Sequence, residues 1–311
     1  MPRSKVVLTD QVFPSLETER RILLAHDAAL EVADGTLADV LDRARDADAL
    51  LTTYFPLDRA TIESLEKCRV IARYGIGVDN VDLQAARERG IVVTNVPDYS
   101  VQEVASHTLA LLLMLLRRIP EADAYVRDGG WAIAPLRPMR RISTLTIGLV
   151  GYGKIAQQLA EWLRALGARV VAYDPFVKAE AELVASLDEL LRMSDAVSLH
   201  APLTPGTQGM IGADQLSLMQ PHAVLVNTSR GGLLVLDDLV EALRAGTIRA
   251  AGLDTFDREP VDASRVQGVP NLVVTPHMAY YSEEAILESQ TKATSQIVKV
   301  LAGETPDYPV N

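Results

Sequence analysis

Three residues of this sequence combine into a chemical set: Arg230 in Asn227-Thr228-Ser229-Arg230-Gly231-Gly232, Glu259 in Asp254-Thr255-Phe256-Asp257-Arg258-Glu259-Pro260, and His277 in Val273-Val274-Thr275-Pro276-His277. Each follows a short apolar run that reads as a strand. All three therefore stand at strand carboxyl ends, where an open parallel sheet binds its ligands. An imidazole ordinarily titrates near neutral pH and suits the removal of a proton from a hydroxyl. A carboxylate on its other ring nitrogen orients the ring and favours the imidazolium. A guanidinium grips a substrate carboxylate by two parallel hydrogen bonds and polarises the adjoining C–O. Read singly, each has a plainer account: a satisfied strand-end histidine, a loop charge before Pro260, an anion-nest residue beside two glycines. On successive strand ends of one nucleotide fold, the catalytic reading prevails.

The nucleotide fold is announced by Leu145–Asp174. An apolar strand feeds Gly151-Tyr152-Gly153-Lys154-Ile155-Ala156, a helical run reaches Gly167, and a second strand ends on Asp174. Alone, such a turn also suits an ordinary strand–helix connection; with strand, helix and acid in this order it reads as a dinucleotide fingerprint. Gly151 permits the tight turn, Gly153 lets backbone approach a pyrophosphate, and the helix N-terminus offers N–H groups to that anion. Asp174 is placed to accept both ribose hydroxyls and to repel a 2′-phosphate, which favours NAD over NADP. With the nicotinamide over the crevice, His277 and Glu259 form an acid–base pair for hydride transfer and Arg230 a carboxylate anchor. Asp254 is expected to reach the carboxamide side, and His200 to wall the adenosine or nicotinamide pocket. His26, His107 and His222 read as structural or solvent-facing.

These groups need elements to hold them. Residues 1–98 alternate strand and helix, with strands expected at 6–8, 49–52, 70–74 and 91–94, and with Thr36, Asp58 and Asp82 opening helices. Ser100–Arg118 reads as a long helix whose Leu109–Leu116 run is apolar all round, and so buried between domains or against a second subunit. Strands are expected at 146–150, 169–173, 195–199, 223–226, 250–254 and 272–274, six in all, then a last helix from Ser282 to Leu301. Repeated β-then-α makes this an α/β protein with two doubly wound parallel sheets. The irregular stretch 129–144 holds Arg137, Arg140 and Arg141, which read as solvent or interface groups in preference to substrate ligands.

The bulk properties set bounds. A chain of 311 residues with 48% hydrophobic content suits two domains. The net charge of −11 argues against nucleic acid as a partner. Cys68 is the one cysteine and reads as a buried strand-edge thiol. The N-terminal apolar run is too short for a signal peptide, and no run is long enough to span a bilayer. A reducing, cytoplasmic setting is expected, with no metal.

The motifs together resemble the D-isomer-specific 2-hydroxyacid dehydrogenase family. The resemblance is carried by Arg73-Tyr74-Gly75-Ile76-Gly77-Val78-Asp79-Asn80, Val96-Pro97-Asp98-Tyr99-Ser100-Val101-Gln102-Glu103, the Gly151 turn, His200-Ala201-Pro202-Leu203-Thr204, Asn227-Thr228-Ser229-Arg230-Gly231-Gly232, Ala251-Gly252-Leu253-Asp254 with Glu259-Pro260, and Thr275-Pro276-His277. It implies a Rossmann NAD domain at 99–282 inserted into a flavodoxin-like substrate domain at 1–98 and 283–311. It also implies Arg230, Glu259 and His277 as catalytic residues, and NAD as cofactor. The implied cofactor contacts are Gly151, Tyr152, Gly153, Lys154, Ile155, Asp174, His200, Ala201, Pro202, Thr207, Thr228, Ser229, Arg230, Asp254 and His277. A 2-hydroxy or 2-keto acid would lie on the Gly75-Ile76-Gly77 backbone with Arg230 and His277. Tyr54, Tyr74, Ile76, Trp131, Arg137 and Tyr280 are expected to shape its side-chain pocket. A homodimer through the NAD domain is implied too. The segment Met278-Ala279-Tyr280-Tyr281-Ser282 resembles the corepressor branch of the family, so an NAD(H)-sensing protein-interaction module is the second reading. Thr144 stands where the family usually has Gly, and Leu234-Val235-Leu236 replaces a helix-capping Asp, so the next helix is expected to start near Asp237.

Overall fold

The computed structural model describes residues 3–177 and 182–311. It divides into two compact units, Met1–Tyr99 with Ser282–Asn311, and Ser100–Tyr281. The chain begins with β1 (Ser4–Leu8), α1 (Glu17–Leu24), β2 (Ala28–Val32), α2 (Leu37–Ala44), β3 (Ala49–Thr52), α3 (Arg59–Glu63), β4 (Val70–Arg73), α4 (Leu83–Glu88) and β5 (Val92–Thr94). The second unit holds α5 (Val101–Leu116), α6 (Ile119–Arg127), β6 (Thr146–Val150), α7 (Lys154–Ala165), β7 (Arg169–Tyr173), β8 (Glu182–Leu183), α8 (Leu187–Met193) and β9 (Ala196–Leu199). It continues through α9 (Ala213–Leu218), β10 (Val224–Asn227), α10 (Leu236–Ala245), β11 (Ala250–Leu253), α11 (Ala263–Val266) and β12 (Leu272–Val274); α12 (Glu283–Leu301) belongs to the first unit. No helix among the described residues is long and apolar enough to cross a membrane.

In the first unit, the described strands form a five-stranded sheet in the order β2-β1-β3-β4-β5, parallel throughout. Such strands are buried on both faces and read as continuous apolar runs; Ala49, Leu50, Leu51, Val70 and Ile71 have no exposed surface. Side chains start the helices where the sequence placed them: Thr36, Asp58 and Asp82 accept the N–H of Asp39, Thr61 and Ala85. The sequence reading had no counterpart to α1 or β2. α1 is tied to the rest by polar contacts: Glu19, fully buried, accepts Tyr74 Oη–H at 2.9 Å and Gln290 Nε2–H at 2.9 and 3.1 Å. Ser289 of α12 donates to the Tyr74 carbonyl.

The second unit's described strands form a seven-stranded sheet in the order β12-β11-β10-β9-β6-β7-β8, again parallel. Six strands were expected; the seventh, β8, is a two-residue exposed edge strand, too short for a periodic signal. Growth of the sheet reverses between β6 and β9, which opens a crevice at their carboxyl ends. One face carries Val197, Leu199, Leu225 and Leu239, the other Ile147, Leu149, Val224 and Val226.

Within the single chain, helix α5 is covered on one side. Leu111, Leu112 and Leu115 join the second of these cores, Leu109, Met114 and Leu116 pack at its margin, and Ala110 is exposed. The run therefore lies over its own sheet. It ends at Leu116, because Arg118 takes a left-handed conformation (φ 54°) and α6 follows. Cys68 is buried, as its setting suggested, and burial pushes its thiol up to about 12. α10 begins at Leu236 without a side-chain cap, with Asp237 and Asp238 in its first turn.

Candidate active site

The three residues that opened the sequence reading lie on neighbouring strand ends of the second unit. After β10, the chain turns on Asn227, whose Oδ1 accepts the Ser229 N–H at 3.1 Å and whose Nδ2 donates to the Arg230 carbonyl at 2.8 Å. This side chain fixes the turn that presents Arg230. Gly231 follows because no side chain fits: a Cβ there would lie 1.8 Å from the Phe256 carbonyl carbon. The Arg230 turn thus packs backbone to backbone against the loop carrying Glu259. Glu259 Oε1 accepts the Phe256 N–H at 2.8 Å, and Oε2 lies 2.6 Å from His277 Nδ1. The dyad is partly open, its side chains 24% (His277) and 33% (Glu259) exposed.

His277 is left-handed (φ 53°), a conformation disfavoured for a side-chain-bearing residue. Its N–H is held by the Asp254 carbonyl at 2.8 Å, and the Tyr280 ring stands edge-on, 6.1 Å between centroids. Asp254 has no exposed surface. Its Oδ1 accepts Thr275 Oγ1–H at 2.5 Å and the Met278 N–H at 2.9 Å; Oδ2 accepts the Ala279 N–H at 2.9 Å. The residue expected at the carboxamide is thus enclosed by the loop it organises.

The glycine turn fits a dinucleotide. Gly151 takes φ +90°, and a Cβ would meet Ala201 N and His200 C at 2.8 Å, so glycine is required twice over. Gly153 is exposed with open space around it, and α7 begins there with no side-chain cap. Lys154 and Ile155 form its first turn, so uncapped N–H groups meet a solvent-facing surface that suits a pyrophosphate. Ala156 is buried against the sheet. Asp174 does more than the sequence suggested. Its Oδ2 accepts the Tyr152 N–H at 2.8 Å, and its Oδ1 the N–H groups of Phe176 at 2.9 Å and Val177 at 3.2 Å. Three backbone N–H groups thus hold in place the carboxylate expected to face the ribose.

Thr228 is buried. Ser229 Oγ donates to the Ala201 carbonyl at 2.8 Å, joining the β9 and β10 loops. Thr207 Oγ1 donates to the Pro202 carbonyl at 2.6 Å and accepts the Thr204 N–H at 2.9 Å, which shapes the loop instead of projecting from it. His200 is half-buried, with Nε2 2.9 Å from Ser198 Oγ. Burial lowers its pKa to about 4, which suits a neutral wall of a pocket and not a base.

In the first unit, Gly75-Ile76-Gly77 lies at the carboxyl end of β4. Asn95 Nδ2 donates to the Ile76 carbonyl at 2.7 Å, and the Arg73 guanidinium packs over Gly75. Tyr54 is 42% exposed, but Tyr74 is only 2% exposed. Its ring packs edge-on against Phe13 and its hydroxyl is spent on Glu19, so the expectation that Tyr74 shapes a pocket is not met. Burial and the neighbouring Glu19 raise the phenol well above its usual range. Sequence reasoning passed over Asp10. This carboxylate accepts the N–H groups of Thr53 at 3.0 Å, Tyr54 at 2.7 Å and Phe55 at 3.3 Å, fixing the loop after β3. Its one sequence signal is an acid two residues beyond an apolar strand.

In the second unit, Trp131 is 89% exposed, Arg137 is exposed, and Arg140 pairs with Asp195, which also meets His222 at 2.7 Å. No cluster of three or more His, Cys, Asp or Glu able to hold a metal occurs among the described residues.

Residues 109–279 match the family model described as the NAD-binding domain of D-isomer specific 2-hydroxyacid dehydrogenases. The chain is 38% identical to the D-3-phosphoglycerate dehydrogenase of Methanocaldococcus jannaschii over 99% of its own length, but spans only 59% of that relative. It is 35% identical to the glyoxylate reductase of Aeropyrum pernix over 100% of this chain and 97% of the relative. Among solved structures, the D-lactate dehydrogenase of Aquifex aeolicus complexed with NAD and lactic acid superposes with a TM-score of 0.88, at 27% identity over 97% of this chain and 96% of that one. With the strand-end acid–base pair, the glycine turn and these likenesses together, the chain belongs to the D-isomer specific 2-hydroxyacid dehydrogenase family.

Proposed function

We propose that this protein interconverts an (R)-2-hydroxy acid and its 2-keto acid with NAD(H) as cofactor. The observation that carries the reading is the 2.6 Å contact between His277 Nδ1 and Glu259 Oε2, beside Arg230 in an NAD-binding domain. Bound NADH supplies the hydride. Glu259 accepts a hydrogen bond from His277 Nδ1–H, which fixes the tautomer and assigns Nε2 to proton exchange with the substrate oxygen. Arg230 holds the substrate carboxylate and polarises the reacting C–O. In the first unit, the Gly75-Ile76-Gly77 turn is proposed to bind an anionic group through backbone N–H. The dyad also weighs against the sensor reading, since nucleotide sensing needs no oriented histidine–carboxylate pair.

Relatives bearing the names D-3-phosphoglycerate dehydrogenase and glyoxylate reductase set the substrate panel. Purified protein is assayed for reduction of glyoxylate and other 2-keto acids, and for oxidation of 3-phosphoglycerate, with both nicotinamide cofactors. NADH consumption with at least one keto acid is expected; no turnover with any member contradicts the proposal. Self-association through the second unit is part of the same proposal. Ile119, Val126, Trp131 and Ile133 leave 53%, 49%, 89% and 65% of their surface exposed, apolar surface that a subunit contact would cover. Sedimentation should return a dimer, and a monomer at micromolar concentration would refute this part.

A further inference from the structure

We infer that helix α5 braces both halves of the catalytic set through two adjacent side chains, and that His107 is a positioning residue for His277. The inference rests on the reaction proposed above. Hydrogen bookkeeping carries it. The single hydroxyl proton of Thr275 points to Asp254 Oδ1, 2.5 Å away. Thr275 Oγ1 can then only accept from His107 Nε2 at 3.1 Å, so His107 is the tautomer protonated at Nε2. Its Nε2 is also 3.8 Å from Asp254 Oδ1.

Beyond Thr275, the chain of contacts reaches the catalytic loop. Asp254, fully buried, takes the Met278 and Ala279 N–H groups on its carboxylate and the His277 N–H on its carbonyl. His277 is thereby kept in its left-handed conformation. The donor on α5 orients Thr275, Thr275 orients the Asp254 carboxylate, and the carboxylate sets the turn that aims His277. Such outer supports decide whether a reacting group sits within reach of productive geometry.

The next residue along α5 does the same for the other loop. Thr108 Oγ1 donates to the Val104 carbonyl at 2.6 Å, so in its 2.7 Å contact with Thr228 Oγ1 it accepts. Thr228 precedes Ser229 and Arg230. Two consecutive residues of one helix thus hold the loop of the carboxylate anchor and the loop of the acid–base histidine to one rigid element.

The test uses His107→Leu, which removes the donor, and His107→Gln, which restores an N–H at similar reach. With glyoxylate and NADH as probes, or the best keto acid of the panel, His107→Leu should lower kcat about tenfold, the scale of a slightly misplaced catalytic group. KM should change by less than about twofold, since ground-state binding is left alone. His107→Gln should recover most of the loss, with melting temperatures of both variants within about 3 °C of the parent. Hydrogen–deuterium exchange is read alongside: in His107→Leu the Met278 and Ala279 amides should exchange at least about threefold faster, and in His107→Gln at the parental rate. A leucine variant with unchanged exchange and unchanged kcat overturns the inference, as does a glutamine variant as impaired as leucine. If the parent turns over no keto acid, the reaction proposal has failed, and the exchange measurement still decides whether His107 holds the loop.

Discussion

After β1 and β3 of the first sheet, the polar group is Asp10, whose carboxylate is spent on the N–H groups of Thr53, Tyr54 and Phe55. After β10, β11 and β12 of the second sheet, Arg230, Glu259 and His277 keep part of their surface in solvent. One sheet end uses its side chain to shape backbone; the other uses backbone and buried side chains to shape what it exposes. The contrast deepens with Glu19 and Asp254, both fully buried. Glu19 binds the Tyr74 hydroxyl and Gln290 and holds α1, α12 and the loop after β4 together. Asp254 accepts the Met278 and Ala279 N–H groups of the loop that carries His277. Damage to the first region should therefore register as lost stability, and damage to the second as lost turnover.

The widest separation is expected from Glu259→Gln. It should lower kcat by about a hundredfold, within the range of general acid–base contributions, while the melting temperature barely moves. A large loss of stability with intact kcat would erase the contrast. Next comes Glu19→Leu, which strands the Tyr74 hydroxyl and the Gln290 amide. Denaturant unfolding should show a loss of about 2–3 kcal/mol, with NADH affinity of the folded protein unchanged; altered affinity would argue that the two units do not separate in this way.

His200 supplies a pH test. Unfolded, its imidazole gains a proton below the ordinary 6.5; folded, burial keeps it neutral down to about 4. Its contribution is complete above pH 6.5 and is lost as the pH falls toward 4, amounting at most to about 3 kcal/mol. The difference in stability between parent and His200→Asn should accordingly depend on pH across that window, and a flat difference would contradict the burial account. The smallest effect is expected at Asp174. Asp174→Ala should improve NADPH relative to NADH by about tenfold, since an anionic carboxylate repels a 2′-phosphate. It should also weaken the glycine turn, because Tyr152 loses its acceptor. An unchanged cofactor ratio would leave Asp174 a structural residue alone.

Legibility in the sequence follows the same division. Arg230, Glu259 and His277 could be read because each sits a few residues beyond an apolar strand, and Gly151 because a positive φ at a close backbone approach leaves glycine as the residue that fits. The N-caps at Thr36, Asp58 and Asp82 were readable for a similar reason, since a cap and the N–H it accepts are three residues apart. The supports were not. Tyr74 and Glu19 lie 55 positions apart, Gln290 and Glu19 271, and His107 and Thr275 168. Nothing local marks either partner, so Tyr74 read as a pocket residue, and His107 as structural or solvent-facing with no partner named. In helix α5, a run of leucines fixes how much is apolar, and the fold decides which side the chain's own sheet covers.

The central claim is that His277, oriented by Glu259, exchanges the proton that accompanies hydride transfer. Its most direct test compares the parent with His277→Ala in reduction of the best keto acid by NADH, with NADH affinity measured by fluorescence titration on the same samples. The account predicts a fall in kcat of at least about a hundredfold with NADH affinity within about threefold of the parent. A variant that binds NADH normally and retains most of its turnover would contradict it.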